Sequence, residues 1–468
     1  MDILALLQCL QPSVPATTLR QCSRIVRALL VMTGRITMLG MARWASKGGS
    51  YRTVQRFFAT VIPWAMLFWV FFRHHVYRSE EVYLLVGDEV VVTKAGKTTH
   101  GLDRFFASLD GKPVPGLAFF VLSLVSLQQR RSFPVRVEQV VRSEAEKAAS
   151  KAKAAAKKRK VRGAQRRPGR PKGSKNTPKA DGTFTPELVR ITGWLDALLH
   201  LIAGVISLPY LVLDGHFGNH NALQMARQCG MHLISKLRCD AALYFPYTGP
   251  YAGRGPHRKY GHKVDYDHLP WQYLQETTVE GHIQTCVYQT QLLHKEFPRP
   301  LNVVIIAKTN LRTHAHAHVV LFSSDLDLAY ALLVDYYGLR FQIEFNFRDA
   351  KQYWGLEDFM NVTPTGVTNA ANLALFMVNV AYRLRTDGHP RDPDYSVLDL
   401  KADCRGYKYV EETIKMLPEK PEPVLLRQIF HKVAGWLCRK FCLRGREGAV
   451  APAGGRLRRP GSRTVRPQ

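Results

Sequence analysis

The sequence predicts an α/β protein: a mixed sheet flanked by helices, with a helical domain at its N-terminus and a β-rich insertion. Three observations predict it. Apolar residues recur at helical spacing in the first 80 residues, as at Ile25, Val26, Leu29, Leu30 and Ile36. From Val82 the pattern changes to strand-forming runs. Further on, Tyr210 to Leu213, Asn219 to Gln228 and the segment through Ile234 read as a strand, helix, strand unit with a carboxylate, Asp214, at the end of its first strand.

A chain of 468 residues exceeds one ordinary compact core, so about three domains, or one domain with large insertions, is expected. Residues 1–80 form the helical domain, broken by the Gly48-Gly49 turn before Tyr51 to Phe58. Its cations Arg43, Lys47, Arg52 and Arg56 suit either DNA binding or a solvated face. Residues 81–144 begin the sheet with Tyr83 to Val86, Val90 to Val92, Phe105 to Leu109 and Gly116 to Val125, the last two flanking the turn Leu109-Asp110-Gly111-Lys112.

Residues 145–183 are a basic insertion that cannot bury a core and is expected to be mobile. At its centre Gly169-Arg170-Pro171 resembles the hook that places an extended Arg in the narrow minor groove of A·T-rich DNA. Residues 184–237 resume the sheet and 238–332 are the β-rich insertion, with His282 to Tyr288 and Leu301 to Ala307 as strands. Residues 333–386 complete the α/β unit: a helix that starts at Asp327, breaks near Gly338 and runs to Lys351, then another from Asn369 to Arg385. Residues 387–468 are a helical segment and a basic tail expected to be disordered.

The 66 Lys and Arg against 37 Asp and Glu give a formal charge of +29, more than solubility requires, and point to nucleic acid as partner. The eight cysteines form no CxxC pair, which argues against a disulfide framework or zinc knuckle; Cys438 and Cys442 share a helix face but lack a second ligand pair. The most apolar run, Val61 to Phe72, is interrupted by Pro63 and falls short of the ~20 residues that span a bilayer. The N-terminus lacks the marks of a secretory signal, so a soluble cytoplasmic protein with no membrane partner is expected.

Asp88 follows Tyr83-Leu84-Leu85-Val86, and Asp214 ends Tyr210-Leu211-Val212-Leu213. If those strands pair in parallel, the two carboxylates lie side by side; singly, either is an ordinary turn former. On a continuous helix at ~100° per residue, Tyr337 and Lys351 lie about 20° from Glu344, and Arg340 and Arg348 about 40°. One face then carries a carboxylate amid three cations and a phenol. That face is either a ladder of weak surface ion pairs or a metal ligand set in a phosphate-binding strip.

Tyr337-x2-Arg340-x3-Glu344-x6-Lys351 matches the Tyr-Arg-Glu-Lys signature of a large group of bacterial insertion-sequence DDE transposases, which the chain resembles from about Tyr83 to Lys351. Val86-Gly87-Asp88, Lys94-Ala95-Gly96-Lys97, Gly101-Leu102-Asp103-Arg104-Phe105-Phe106 and Leu213-Asp214-Gly215 also resemble that group's first two acidic regions, although Glu89 and Val90 stand where many relatives have Asp and Thr. The resemblance implies an RNase H-like catalytic domain in which Asp88, Asp214 and Glu344 hold two Mg²⁺ ions, with Mn²⁺ tolerated. It implies phosphate contacts from Tyr337, Arg340 and Lys351, cleavage at the element's ends, transfer of the 3′ hydroxyl into target DNA, and a homodimer in the synaptic complex. A nucleoid-associated place in a bacterial cytoplasm follows. An RNase H-like nuclease or recombinase of another pathway, and a catalytically silent DNA-binding relic, are the alternatives.

Further DNA contacts are expected from Arg348, from Lys236 and Arg238 beyond the second Asp, and from Arg254, Arg258 and Lys259, which mix with Tyr251 and Tyr260 in a Gly-rich loop. Trp271 either packs in a core or, as in some relatives, assists a flipped base. His314, His316 and His318 would share a strand face, as a zinc site or as part of a basic edge. Glu357 and Asp358 are substitutes for Glu344 as third ligand.

Overall fold

A computed structural model describes residues 2–45, 48–107, 111–149, 151–152, 184–251, 253, 256–388, 394–419, 421–430 and 432–433. Lys47, the Leu109-Asp110 half of the first turn, Arg170, Arg254, Cys438 and Cys442 lie outside the described residues.

Twelve strands form one mixed sheet. In chain order they are β1 (Tyr83–Thr93), β2 (Asp103–Ala107), β3 (Lys112–Ser126), β4 (Arg131–Val140), β5 (Tyr210–Val212), β6 (His232–Leu237), β7 (Leu243–Pro246), β8 (Tyr260–Lys263), β9 (Leu274–Glu280), β10 (Ile283–His294), β11 (Leu301–Asn310) and β12 (His316–Ser323). Across the sheet the order is β2-β3-β1-β5-β6-β12-β11-β10-β7-β8, with β4 on β3 and β9 on β10. β3 runs antiparallel to β1 on one side and to β4, whereas β1 with β5 and β5 with β6 pair in parallel. This mixed α/β arrangement is consistent with an RNase H-like fold.

The two expected runs Tyr83 to Val86 and Val90 to Val92 are one strand, with Asp88 inside it rather than beyond its end. β4 is a strand the sequence pattern does not announce. Pro134 falls where its register with β3 shifts, and Arg136 and Glu138 interrupt the apolar run.

The helices that accompany the sheet among the described residues include α1 (Ile3–Leu6), α2 (Ala16–Val31), α3 (Met38–Trp44), α4 (Tyr51–Ala59), α5 (Trp64–His75), α6 (Pro186–Ile202), α7 (His220–Gln228), α8 (Tyr330–Leu339), α9 (Gln342–Tyr353), α10 (Pro364–Gly388) and α11 (Val397–Lys415). Strand periodicity decides which helices meet which face. Leu84, Val86, Val90 and Val92 enter one core with Leu339, Ile343 and Phe347, while Leu85 joins another with Leu195 and Leu223. Asp88 has the parity of Val86 and Val90, so it points toward α8 and α9.

The N-terminal helices build their core jointly with α10: Phe376 meets Trp64, Phe68 and Phe71 with ring centroids 5.1–5.9 Å apart. α11 closes the far end, where Lys401 donates to Leu29 O and Arg405 to Val31 O at 3.0 Å, cations meeting the bare carbonyls of a helix C-terminus. Asn372 and Asn379 on α10 donate to Val137 O and Pro134 O, at 3.3 and 2.8 Å, which covers backbone acceptors of the edge strand β4. Among the described residues no single helix is long and apolar enough to cross a membrane.

Candidate active site

β1 and β5 pair in parallel with Leu85 opposite Leu211 and Val86 opposite Val212. Two residues further along, that register brings Asp88 beside Asp214 on the α8 and α9 side. Each Asp anchors one carboxylate oxygen locally: Asp88 Oδ1 accepts Glu89 N–H at 2.8 Å, and Asp214 Oδ1 accepts His216 N–H at 3.2 Å while capping a short 3₁₀ turn. Ser235 Oγ on β6 donates to Asp214 O at 2.7 Å. The turn after Asp214 lies directly on β6, and a side chain at Gly218 would place its Cβ 2.2 Å from Lys236 O.

Glu344 arrives from across. The break in its helix falls at Arg340 and Phe341, two residues beyond Gly338, and the chain there tightens into i to i−3 bonds. Arg340 N–H donates to Tyr337 O at 3.3 Å and Glu344 N–H to Phe341 O at 3.1 Å. This tightening displaces the α-helical angles expected for Tyr337 and Arg340; Arg340 still reaches the acids, with the Tyr337 ring beside its guanidinium. Arg340 Nη1 donates to Asp88 Oδ2 at 2.6 Å and Nη2 to Glu344 Oε1 at 3.4 Å, so one guanidinium bridges two carboxylates.

The electrostatics tie these groups together. Burial pushes the Asp88 carboxyl up to about 6; Arg340 opposes the rise, and the Asp214 and Glu344 charges add to it. Burial works against the charge on Arg340, but Asp88, Tyr337, Glu344 and Asp214 outweigh it and strengthen its hold on the proton. Tyr337 is raised by burial, with Asp214 and Asp88 contributing. On the other face of β1, Glu89 lies within reach of the Glu187, Arg142 and His216 charges.

The remaining expected cations have other partners. Lys351 Nζ donates to Val91 O at 3.0 Å and pairs with Glu357 at 3.0 Å, which holds α9 against β1. Arg348 pairs with neighbouring Asp349 and lies over the Phe345 ring at 4.9 Å. Lys236 passes over Gly215 beside Asp214, with its Cε 3.2 Å from where a Cβ would stand. Arg238 pairs with Asp240 at 2.9 Å. Arg258 Nε donates to Tyr260 O at 3.0 Å and Lys259 Nζ to Pro298 O at 2.6 Å, so this loop is braced by two of its own cations.

Glu357 and Asp358 are spent on structure, Glu357 on Lys351 and Asp358 on Ile36 N–H at 2.9 Å and Arg35 at 3.4 Å. Trp271 is 84% exposed, which excludes core packing. Of the three histidines, His316 and His318 share a face of β12 with ring centroids 6.3 Å apart, while His314 occupies a left-handed turn at φ 55° before the strand; His316 meets Thr309, and His318 stacks on Tyr266 and meets Cys239 O. Sequence reasoning placed Lys94 in the first acidic region without a role. Its Nζ donates to Glu357 O and Phe359 O, at 2.9 and 2.8 Å, and fastens the end of β1 to the loop after α9.

Magnesium takes hard oxygen donors, and the three carboxylates supply that chemistry. As the side chains stand, no group of three or more His, Cys, Asp or Glu among the described residues is arranged to hold a metal ion, and Arg340 bridges Asp88 and Glu344. In donor type, though not in the arrangement shown, these carboxylates suit a hard divalent cation.

No curated protein matches the sequence. The family model described as DDE superfamily endonuclease matches residues 6–293, more than half of the chain; it takes in Asp88 and Asp214 and ends before Glu344. With Asp88 within β1 and Asp214 just past the parallel strand β5 inside the matched segment, the chain belongs to the DDE superfamily endonucleases.

Proposed function

We propose that the protein is a DNA transposase of the group with the Tyr-x2-Arg-x3-Glu-x6-Lys signature, which cuts at the ends of an insertion sequence and joins the freed 3′ hydroxyl to target DNA. The observation that carries this reading is the parallel register of β1 and β5, with Arg340 linking Asp88 to Glu344. Asp88, Asp214 and Glu344 would hold magnesium, or manganese in its place. When bound, the metal polarises the scissile phosphate and eases deprotonation of the attacking oxygen.

The chain's own residues do the rest. Local backbone N–H groups fix one oxygen of each Asp and leave the other to face the site, and Arg340 with Tyr337 receives the phosphate beside the cut. Lys236, Arg238, Arg258 and Lys259 are proposed to follow the backbone, together with Arg254 and Arg170. Lys351 holds Glu344's helix on β1, and phosphate contact by its ammonium would have to share it with Val91 O. A helical N-terminal unit, a β-rich insertion over 238–332 and a pair of protomers on two DNA ends complete the reading.

Asp88→Asn, Asp214→Asn and Glu344→Gln are each expected to lower metal-dependent cleavage of end-bearing DNA by at least about 10³-fold, the scale of losing a main electrostatic contributor to catalysis, while gel-shift binding persists. Undiminished cleavage by any one of the purified variants would remove that residue from the site.

A further inference from the structure

We propose that Arg340 is an exchangeable counterion: it holds Asp88 and Glu344 in the DNA-free protein, and DNA releases both carboxylates to a divalent cation by drawing the guanidinium onto a backbone phosphate. This rests on the reading of the site as a metal-dependent transposase centre and adds a coupling between its two ligands.

Three observations carry it. Arg340 takes the oxygens a cation would use: Asp88 Oδ1 is committed to Glu89 N–H, and Arg340 Nη1 holds Oδ2 at 2.6 Å while Nη2 reaches Glu344 Oε1 at 3.4 Å. A cation binding there would share Asp88 Oδ2 and Glu344 Oε1 with the guanidinium, and the two like charges repel. Arg340 also stands at the break between α8 and α9, where its side chain is 14% exposed and can turn toward solvent without unwinding a continuous helix. Finally, its departure would strip Asp88 and Glu344 of the cation that now bridges them, which favours another cation in its place.

A phosphate is a suitable competitor, because the guanidinium fork binds phosphate and carboxylate oxygens with the same planar, two-point geometry. Binding then becomes reciprocal: whatever factor DNA adds to metal affinity, metal adds to DNA affinity. A protein built this way assembles its cleavage centre on DNA and keeps it closed elsewhere.

The test is Mn²⁺ binding by the full chain, followed by electron paramagnetic resonance with and without random-sequence duplex DNA and corrected for Mn²⁺ held by the DNA alone. DNA is expected to tighten Mn²⁺ binding by wild type about tenfold, equivalent to about 1.4 kcal/mol. Arg340→Gln is expected to bind Mn²⁺ at the tightened affinity without DNA and to gain little when DNA is added. Arg340→Lys keeps a charge but lacks the planar fork that fits two oxygens at once and has a shorter reach, so it is expected to fall between the two, and it supplies the comparison if the Gln variant does not fold.

Wild-type affinity in the folded Arg340 variants without DNA, or a wild-type affinity that DNA leaves unchanged, overturns the proposal. Asp88→Asn separates the levels. Loss of Mn²⁺ binding in that variant, with Arg340 variants behaving as wild type, overturns only the counterion role; Mn²⁺ binding that survives Asp88→Asn overturns the metal-site reading beneath it.

Discussion

Asp88 carries a charge where burial resists it, since its carboxyl is pushed up to about 6 even with Arg340 at 2.6 Å. The folded pKa lies above the unfolded value of 3.8, so between about pH 4 and pH 6 the folded protein holds a proton that the unfolded chain has released. Stability from this group therefore falls as pH rises through that window and is flat above it. Asp88→Asn removes the titration, and urea unfolding of the metal-free proteins is expected to show the variant gaining on wild type by up to about 3 kcal/mol from pH 4 to above pH 6. Two curves that stay parallel over that range would show that Asp88 ionises at little cost. Lys94 shows the same effect with the opposite charge: burial brings its ammonium down to about 8 while two carbonyls of the loop after α9 accept from it.

Among the elements, the turn from Asp214 to Gly218 is the most exacting. It lies so close to β6 that a methyl group at Gly218 would meet Lys236 O at 2.2 Å, a clash with backbone that no side-chain rotation relieves. Gly218→Ala is expected to destabilise the fold by about 1–3 kcal/mol and to disturb Asp214 as the turn lifts, so that thermal unfolding and cleavage fall together. An alanine variant with the wild-type melting temperature would show that the turn can move. Much at this scale was legible in the sequence: the β1 and β5 runs, the Gly and Asn that bound α7, and the long helix around Asn369. β4 was not, because an edge strand whose acceptors are covered by α10 needs no clean apolar alternation. The helix break expected near Gly338 is present, at Arg340 and Phe341, where the chain tightens and Arg340 spans Asp88 and Glu344.

For the molecule as a whole, the dominant property is a formal charge of +29. Duplex DNA of any sequence should be bound mainly through counterion release, with affinity falling at least about a hundredfold between 50 and 200 mM salt. A shallow dependence in fluorescence anisotropy would mean that few of the cations reach phosphate. Several demonstrably have partners of their own, among them Lys401, Arg405, Lys94 and Lys351, so net charge overstates the number available to DNA.

The sequence alone determined the family and the candidate acids, because strand period and apolar runs are local properties and the Tyr-x2-Arg-x3-Glu-x6-Lys spacing is written in one segment. It also determined a strongly basic balance that suits a polyanion, since charge adds up without reference to fold. What only tertiary structure decided is how those residues are used. Whether Asp88 and Asp214 are neighbours depends on β1 and β5 pairing in parallel across more than a hundred intervening residues. Whether Arg340 grips phosphate or carboxylate, and whether Lys351 faces DNA or a backbone carbonyl, depends on which groups the packing of α8 and α9 on the sheet brings within hydrogen-bond distance. Side-chain partners are set by proximity in space, which spacing along the chain does not encode.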